Sequence, residues 1–180
     1  KAASEAQLEE MKQLMHQGLR SGALAMGFVL ALTPAASRWE PLEMFRVAAQ
    51  YDAPCHVHMR GMGHREPLTG IEGLSEVLAA AITSGAPLHI DHVNSSGQQA
   101  IPELLQMIEE SMSHGLNVTA ECYPYTAGMA PIEGALFNEG WMEKLGIDYD
   151  GLEWALTGER LTASSFAEYR DIGGMVIAHS

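Results

Sequence analysis

The sequence predicts an α/β fold built around a parallel sheet, and three observations carry that prediction. Segments typical of strands and helices alternate at a spacing of roughly 30 residues, which is characteristic of βα units. The strand segments are continuously apolar, as expected for a parallel sheet that is covered on both faces. Two of them begin with the same Ala-Pro pair and have a histidine at their last or next-to-last position, in "APCHVHM" and "APLHIDH". The repeated phrase therefore marks the start of successive βα units.

The elements follow one another in a regular order. Apolar residues at three- and four-residue spacing predict the helices, and short apolar runs predict the strands. In chain order the predicted elements are a helix over 4–19, a strand over 22–32, a helix over 40–51, a strand over 53–59, a helix over 71–82, a strand over 86–92, a helix over 101–112 and a strand over 115–125.

The pattern loosens towards the end of the chain. We interpret 1–130 as the region of βα units and 131–173 as an insertion or cap made of short helices and turns. Residues 174–180, "GGMVIAHS", predict the start of a further strand, which we take to be parallel. Because a parallel strand without a covering helix would be an unusual ending, we expect the chain to be a fragment of a longer protein.

Composition limits the classes of partner. The chain has 47% hydrophobic and 18% charged residues, which is typical of a globular protein, and its formal net charge is −13. That charge argues against nucleic acid and against an anionic membrane surface, because both require clustered positive charge. The two cysteines, Cys55 and Cys122, are too few for a disulfide framework, and no signal-peptide pattern opens the chain. For these two reasons we expect a cytoplasmic protein.

Two histidines are the strongest candidates for chemistry. His58 and His92 each close a predicted strand, and functional groups of parallel α/β folds collect at the carboxyl ends of strands. Two imidazoles that converge from neighbouring strands could hold a divalent metal, although a lone histidine is more often a packed residue. His56 could face the same side as His58, whereas we expect His89 to lie on the opposite face, packed against a helix.

Three motifs resemble one protein family. The segments "HVHMRG", "DHVNSSG" and "GLNVTAECYPYTAG", in this order and spacing, resemble the D-aminoacylase, or N-acyl-D-amino-acid deacylase, branch of the amidohydrolase superfamily. The resemblance covers about residues 8–130. It implies a partial (β/α)8 TIM-type barrel, containing about strands 4 to 7 with their helices and an insertion.

The resemblance also implies an activity. The family uses zinc or another divalent metal to activate a water molecule that cleaves the amide bond of N-acyl-D-amino acids. His58 and His92 match two of its metal ligands. The family's first His-x-His motif has no counterpart here, and its catalytic aspartate would lie beyond Ser180, so no catalytic residue is assigned and we expect little activity from these 180 residues alone.

The candidate substrate-binding residues depart in part from the family pattern. Arg60 and Asn94 are the candidate substrate-binding residues, but Asn94 stands where the family has a lysine, and Arg60 could equally fix a loop. A relative acting on another amide or a cyclic amide, or a non-catalytic α/β module, therefore stays an alternative. As partners we expect a small-molecule substrate and a second copy of the chain in a homo-oligomer, because an incomplete barrel leaves strand edges open.

Overall fold

The computed structural model describes residues 1–64 and 68–179, which form two compact units. The first unit is Lys1–Tyr123 and the second is Pro124–Ser180. The division falls ahead of the expected boundary at residue 130, because residues 127–131 form a strand of the second unit. None of the helices in the described ranges has the length and apolar character needed to cross a lipid bilayer.

The first unit contains a four-stranded parallel sheet, which confirms the predicted α/β class. Its strands follow the chain order β1-β2-β3-β4, and every neighbouring pair is parallel. The strands are shorter than predicted, because each predicted segment also includes the loop residues at its ends. Their bounds are β1 Met26–Val29, β2 Cys55–His58, β3 Leu88–Ile90 and β4 Val118–Ala120.

The described residues of the first unit form five α-helices. Ser4 and Thr69 begin α1 and α3 with capping boxes that engage Gln7 and Glu72, and Gly85 ends α3 in the left-handed conformation that glycine adopts without strain. Four of the helices correspond to predicted ones, and the short α4 was not predicted. The bounds are α1 Glu5–Arg20, α2 Trp39–Ala49, α3 Gly70–Ser84, α4 Val93–Gly97 and α5 Ile101–Ser113.

The two faces of this sheet differ in character. Side chains alternate along each strand, so Cys55, Val57, Leu88 and Ile90 point to one face and are buried there against α1, α2, α3 and α5. The other face carries polar side chains instead of the apolar ones that the sequence predicts for both faces. They are His56 and His58 from β2, His89 from β3 and Thr119 from β4.

The second unit is a three-stranded antiparallel sheet with two helices. Its strand order is β5-β7-β6, with bounds β5 Ala127–Pro131, β6 Leu152–Trp154 and β7 Met175–His179. The helices are α6 Trp141–Leu145 and α7 Ala163–Ile172. The core is half aromatic and half aliphatic, and it contains Ile132, Phe137, Trp141, Leu152, Trp154, Leu161, Phe166 and Val176.

The last strand corrects one expectation. Residues 175–179 do form a strand, as predicted, but the expected parallel orientation is wrong, because β7 pairs antiparallel with both β5 and β6. The apolar composition of a strand predicts that it is buried, whereas its direction depends on the strands with which it pairs, and these are distant in the sequence.

Candidate metal centre

His58 and His92 meet at the carboxyl edge of the parallel sheet. His58 is the last residue of β2, and His92 follows β3 by two positions. Their ring centroids are 4.6 Å apart, and His58 Nδ1 is in direct contact with His92 Nε2. The two imidazoles predicted from the sequence thus converge, and we name them the edge pair. Their role as metal ligands stays a prediction.

His92 is held in a conformation that a non-glycine residue rarely adopts. Its φ of 34° is left-handed, and it immediately precedes α4. Burial of the ring and the proximity of His58 lower the pKa of His92. Its Nδ1 is buried without a hydrogen-bond partner among the described residues. The lowered pKa favours the neutral imidazole, which is the form that binds metals.

Asp91 lies beside the histidines of both strands, and it is a residue that the sequence analysis did not select. Its side chain is buried, with the residue 8% exposed. Its Oδ2 lies 3.2 Å from His58 Nε2, and its Oδ1 lies 3.5 Å from His56 Nδ1. A carboxylate beside Nε2 favours a proton on that nitrogen, which leaves the Nδ1 lone pair of His58 facing His92. The signal in the sequence that could have identified Asp91 is its position directly before the candidate ligand His92.

His89 contradicts the expectation that it packs against a helix on the opposite face. It lies beside His56 in the register of β2 and β3, and the two ring centroids are 4.6 Å apart. The error came from counting backwards from His92. Because β3 ends at Ile90, the alternation of faces does not extend to His92, whose backbone has left the strand.

The hydrogen bonds of Arg60 connect α3 to the loop that follows β1. The residue is 3% exposed, and its Nε donates to both carboxylate oxygens of Glu76 on α3, at 3.2 and 3.0 Å. Its Nη1 donates to Ala36 O at 2.9 Å, and to the carbonyls of Thr33 and Pro34 at 3.4 Å. This arrangement favours the loop-fixing alternative, and substrate binding by Arg60 stays a prediction.

Asn94 is engaged in the same way. Its Nδ2 donates to Tyr123 O and its Oδ1 accepts from Tyr123 N, both at 2.8 Å. Both functions of the amide are therefore used to hold the backbone after β4. Substrate binding by Asn94 stays a prediction, and a substrate would have to share an amide that already has two backbone partners.

The donor atoms at this edge suit a divalent metal. Imidazole nitrogen and carboxylate oxygen are the zinc ligands of most catalytic sites, and here they come from adjacent strands. In the edge pair, His58 Nδ1 and His92 Nε2 are in direct contact, and a cation bound by both would replace the proton between them and separate the two nitrogens. A second group, His56, His89 and Asp91, has one donor atom from each residue within 4.8 Å of the others.

Comparison with known proteins identifies the fold. No family model and no curated protein sequence matches the chain. Among solved structures, a D-aminoacylase variant in complex with copper chloride superposes with a TM-score of 0.75 and 21% identity, over 99% of this chain and 39% of that one. N-acyl-D-glutamate deacylase from Bordetella bronchiseptica, complexed with zinc and a phosphonate inhibitor, gives 0.73 and 20%, over 100% of this chain and 40% of that one.

The chain spans about two fifths of the length of these solved proteins. A third structure, of D-aminoacylase described as defining a novel subset of amidohydrolases, superposes with a TM-score of 0.73 and 20% identity over 99% of this chain and 39% of that one. At this level of identity the likeness concerns the fold. The fold of this chain is that of a corresponding part of the D-aminoacylases and N-acyl-D-glutamate deacylase, which confirms its resemblance to this branch of the amidohydrolases.

Proposed function

We propose that this chain is part of a metal-dependent amidohydrolase that cleaves the amide bond of N-acyl-D-amino acids or similar small amides. The contact between His58 Nδ1 and His92 Nε2, from neighbouring parallel strands, is the observation that carries the proposal. The fold shared with the D-aminoacylases supports it. We further propose that the four-stranded sheet is a segment of a (β/α)8 barrel, in which the polar face of the sheet would line the interior.

The edge pair would hold zinc or another divalent ion, with His58 Nδ1 and His92 Nε2 as ligands. A bound divalent ion would supply Lewis-acid chemistry and activate water at neutral pH. Two features of this chain would favour binding of such an ion. Asp91 Oδ2, 3.2 Å from His58 Nε2, orients the His58 ring and its proton. Burial lowers the pKa of His92, which favours the neutral ring.

The substrate class has a second candidate. D-amino acid products carry a carboxylate, and Arg60 and Asn94 are the predicted residues for binding it. Arg60 is 3% exposed and paired with Glu76, and its Nη2 is buried without a partner among the described residues. Asn94 is bonded to the Tyr123 backbone, so a carboxylate would have to reach a buried guanidinium or displace a backbone bond of Asn94. This observation favours an amide or cyclic amide that lacks a carboxylate next to the scissile bond.

We also propose a cellular location, a type of partner and an oligomeric state. We expect a cytoplasmic protein that acts on a small molecule and forms a homo-oligomer. Over the described residues, the outer strands β1 and β4 of the parallel sheet each pair with one neighbour, which leaves an edge for pairing with a second copy. Light scattering of the purified chain should give a mass of at least twice 19.5 kDa, and a monodisperse species of 19.5 kDa would contradict the homo-oligomer.

The activity is tested with the complete product of the gene that contains this sequence. We expect zinc-dependent release of the free amino acid from an N-acetyl-D-amino acid, with no release from its L enantiomer. His92→Ala should lower kcat/KM by about 100-fold or more, because it removes a metal ligand. His114→Ala is the matched control, since His114 is exposed at the end of α5.

Two results would refute parts of this proposal. A His92→Ala protein with undiminished zinc content and activity would exclude the edge pair from the metal site. A wild-type protein that hydrolyses cyclic amides but none of the N-acetyl-D-amino acids would replace the first substrate class with the second.

A further inference from the structure

We propose that His56, His89 and Asp91 form a second binding site for a divalent transition metal, distinct from the edge pair. We name these three residues the strand site. One donor atom from each of them lies within 4.8 Å of the other two. The site belongs to the polar face of the sheet, and its existence does not depend on the proposed hydrolase activity.

The backbone places these residues together. His56 and His89 are register partners on the adjacent parallel strands β2 and β3, so their side chains leave the same face of the sheet at the same level. Asp91 directly follows β3, its N–H donates to Val57 O of β2, and its carboxylate lies next to both rings. Positions fixed by strand pairing are more rigid than loop positions, which favours a defined coordination geometry.

Asp91 lies close to both rings of the strand site without hydrogen-bonding to them. Asp91 Oδ1 lies 3.5 Å from His56 Nδ1 and 3.9 Å from His89 Nε2, and both distances exceed the usual range for a hydrogen bond. Donor atoms of a tetrahedral zinc site lie about 3.4 Å apart, given metal–ligand bonds of about 2.1 Å. The three donor atoms therefore lie slightly farther apart than in a tetrahedral zinc site, and a small closure would bring them to ligand distances.

A neighbouring hydroxyl sets the orientation of one ligand. His89 Nδ1 lies 2.7 Å from Thr119 Oγ1, the hydroxyl of its register partner on β4. With Nδ1 donating to that oxygen, the Nε2 lone pair of His89 faces Asp91. Second partners of this kind fix the tautomer of metal-binding histidines. Asp91 offers Oδ1 to the strand site while its Oδ2 lies beside His58, so one carboxylate can serve both places.

The donor set indicates the class of ion. Two imidazoles and one carboxylate suit zinc, cobalt and iron(II), whereas calcium and magnesium prefer sites built from oxygen alone. The fourth position is available to water or to Glu121, whose Oε2 lies 3.6 Å from His89 Nε2.

The test is a cobalt(II) titration of the intact chain after removal of metals with a chelator. Visible absorbance reports tetrahedral coordination, and elemental analysis after dialysis gives the stoichiometry. We expect about two equivalents for the wild type and about one for His56→Ala or His89→Ala. His114→Ala should match the wild type. His92→Ala removes the edge-pair ion but should keep the ion of the strand site, so that failure of one site is distinguished from failure of the other.

A second variant keeps all three ligands in place. Thr119→Val removes only the hydroxyl beside His89 and should weaken cobalt binding at the strand site by about 10- to 100-fold. The proposal is overturned if His56→Ala and His89→Ala, shown to be folded by circular dichroism, bind as much cobalt as the wild type. If those variants do not fold, unchanged affinity in Thr119→Val overturns it instead.

Discussion

The two units of this protein differ in what they bury. Among the residues that the structure describes, the buried polar or charged side chains are Glu40, Arg60, Asp91 and Ser96, and all four lie in the first unit. The second unit buries only apolar side chains over its described residues, and its rings pack on one another, as in the stacked pair Trp141 and Phe166 with centroids 5.3 Å apart.

The difference shows that the energetic cost of burying polar groups falls on the first unit. Burying a polar group is unfavourable unless it is paired, and the first unit pairs Arg60 with Glu76 and places Asp91 among histidines. These groups lie beside the carboxyl ends of parallel strands, where loops meet and ligands bind in α/β folds. The second unit has no comparable group in its described core, and aromatic packing is sufficient to explain its stability.

The largest expected effect comes from breaking the buried ion pair of the first unit. Glu76→Leu leaves the Arg60 guanidinium buried without its carboxylate, and should lower the free energy of unfolding by about 3–5 kcal/mol. The double variant Arg60→Met with Glu76→Leu should recover part of this loss, since it removes both charges. Chemical denaturation measures both values. A double variant less stable than Glu76→Leu would contradict this account.

Phe166→Ala in the second unit is the matched comparison. Removing this buried ring should also cost about 3–5 kcal/mol, in this case by leaving a cavity. Hydrogen exchange separates the two variants. Amides of residues 33–37, whose loop carbonyls accept from Arg60, should exchange faster in Glu76→Leu but not in Phe166→Ala. Equal acceleration in both would remove the distinction between the units.

An intermediate effect is expected at Asn94. Asn94→Ala removes two hydrogen bonds to the Tyr123 backbone and should lower the free energy of unfolding by about 1–3 kcal/mol. Asn94→Asp keeps an acceptor for Tyr123 N but loses the donor to Tyr123 O, so its loss should be smaller. If both variants are as stable as the wild type, the contact does not hold the chain after β4.

The smallest effect contrasts helix caps of the two units by their pH dependence. The backbone N–H and hydroxyl of Thr69 donate to Glu72 and lower the pKa of that carboxyl. A lowered pKa means that this stabilisation is present above the ordinary value of 4.5 and disappears as the pH falls through the lower value of the folded state. Glu72→Gln should therefore destabilise the protein at pH 7 and have little effect near pH 2.

The corresponding cap of α7 contains no charge. Thr162 and Ser165 cap each other there, so Thr162→Ala should cost about 1 kcal/mol at either pH. Thermal unfolding at the two pH values gives both comparisons. A loss in Glu72→Gln that is the same at pH 7 and pH 2 would show that the charge of Glu72 is not what stabilises the cap.

Local pattern was sufficient for much of the fold. The apolar spacing predicted α1, α2, α3 and α5, because neighbours on a helix face are three and four residues apart in the chain. The same alternation predicted the parallel sheet and the convergence of His58 with His92, because the carboxyl ends of adjacent parallel strands lie at one edge.

Contacts between distant residues decided the rest. The sequence by itself determined the α/β order, the family resemblance and the edge pair, all of which depend on residues close together in the chain or on motifs. Only the tertiary structure placed His89 and Asp91 beside His56, gave Arg60 and Asn94 their partners, and made β7 antiparallel. The physical reason is that register, strand direction and buried pairing are set between segments far apart in sequence, and local periodicity carries no information about them.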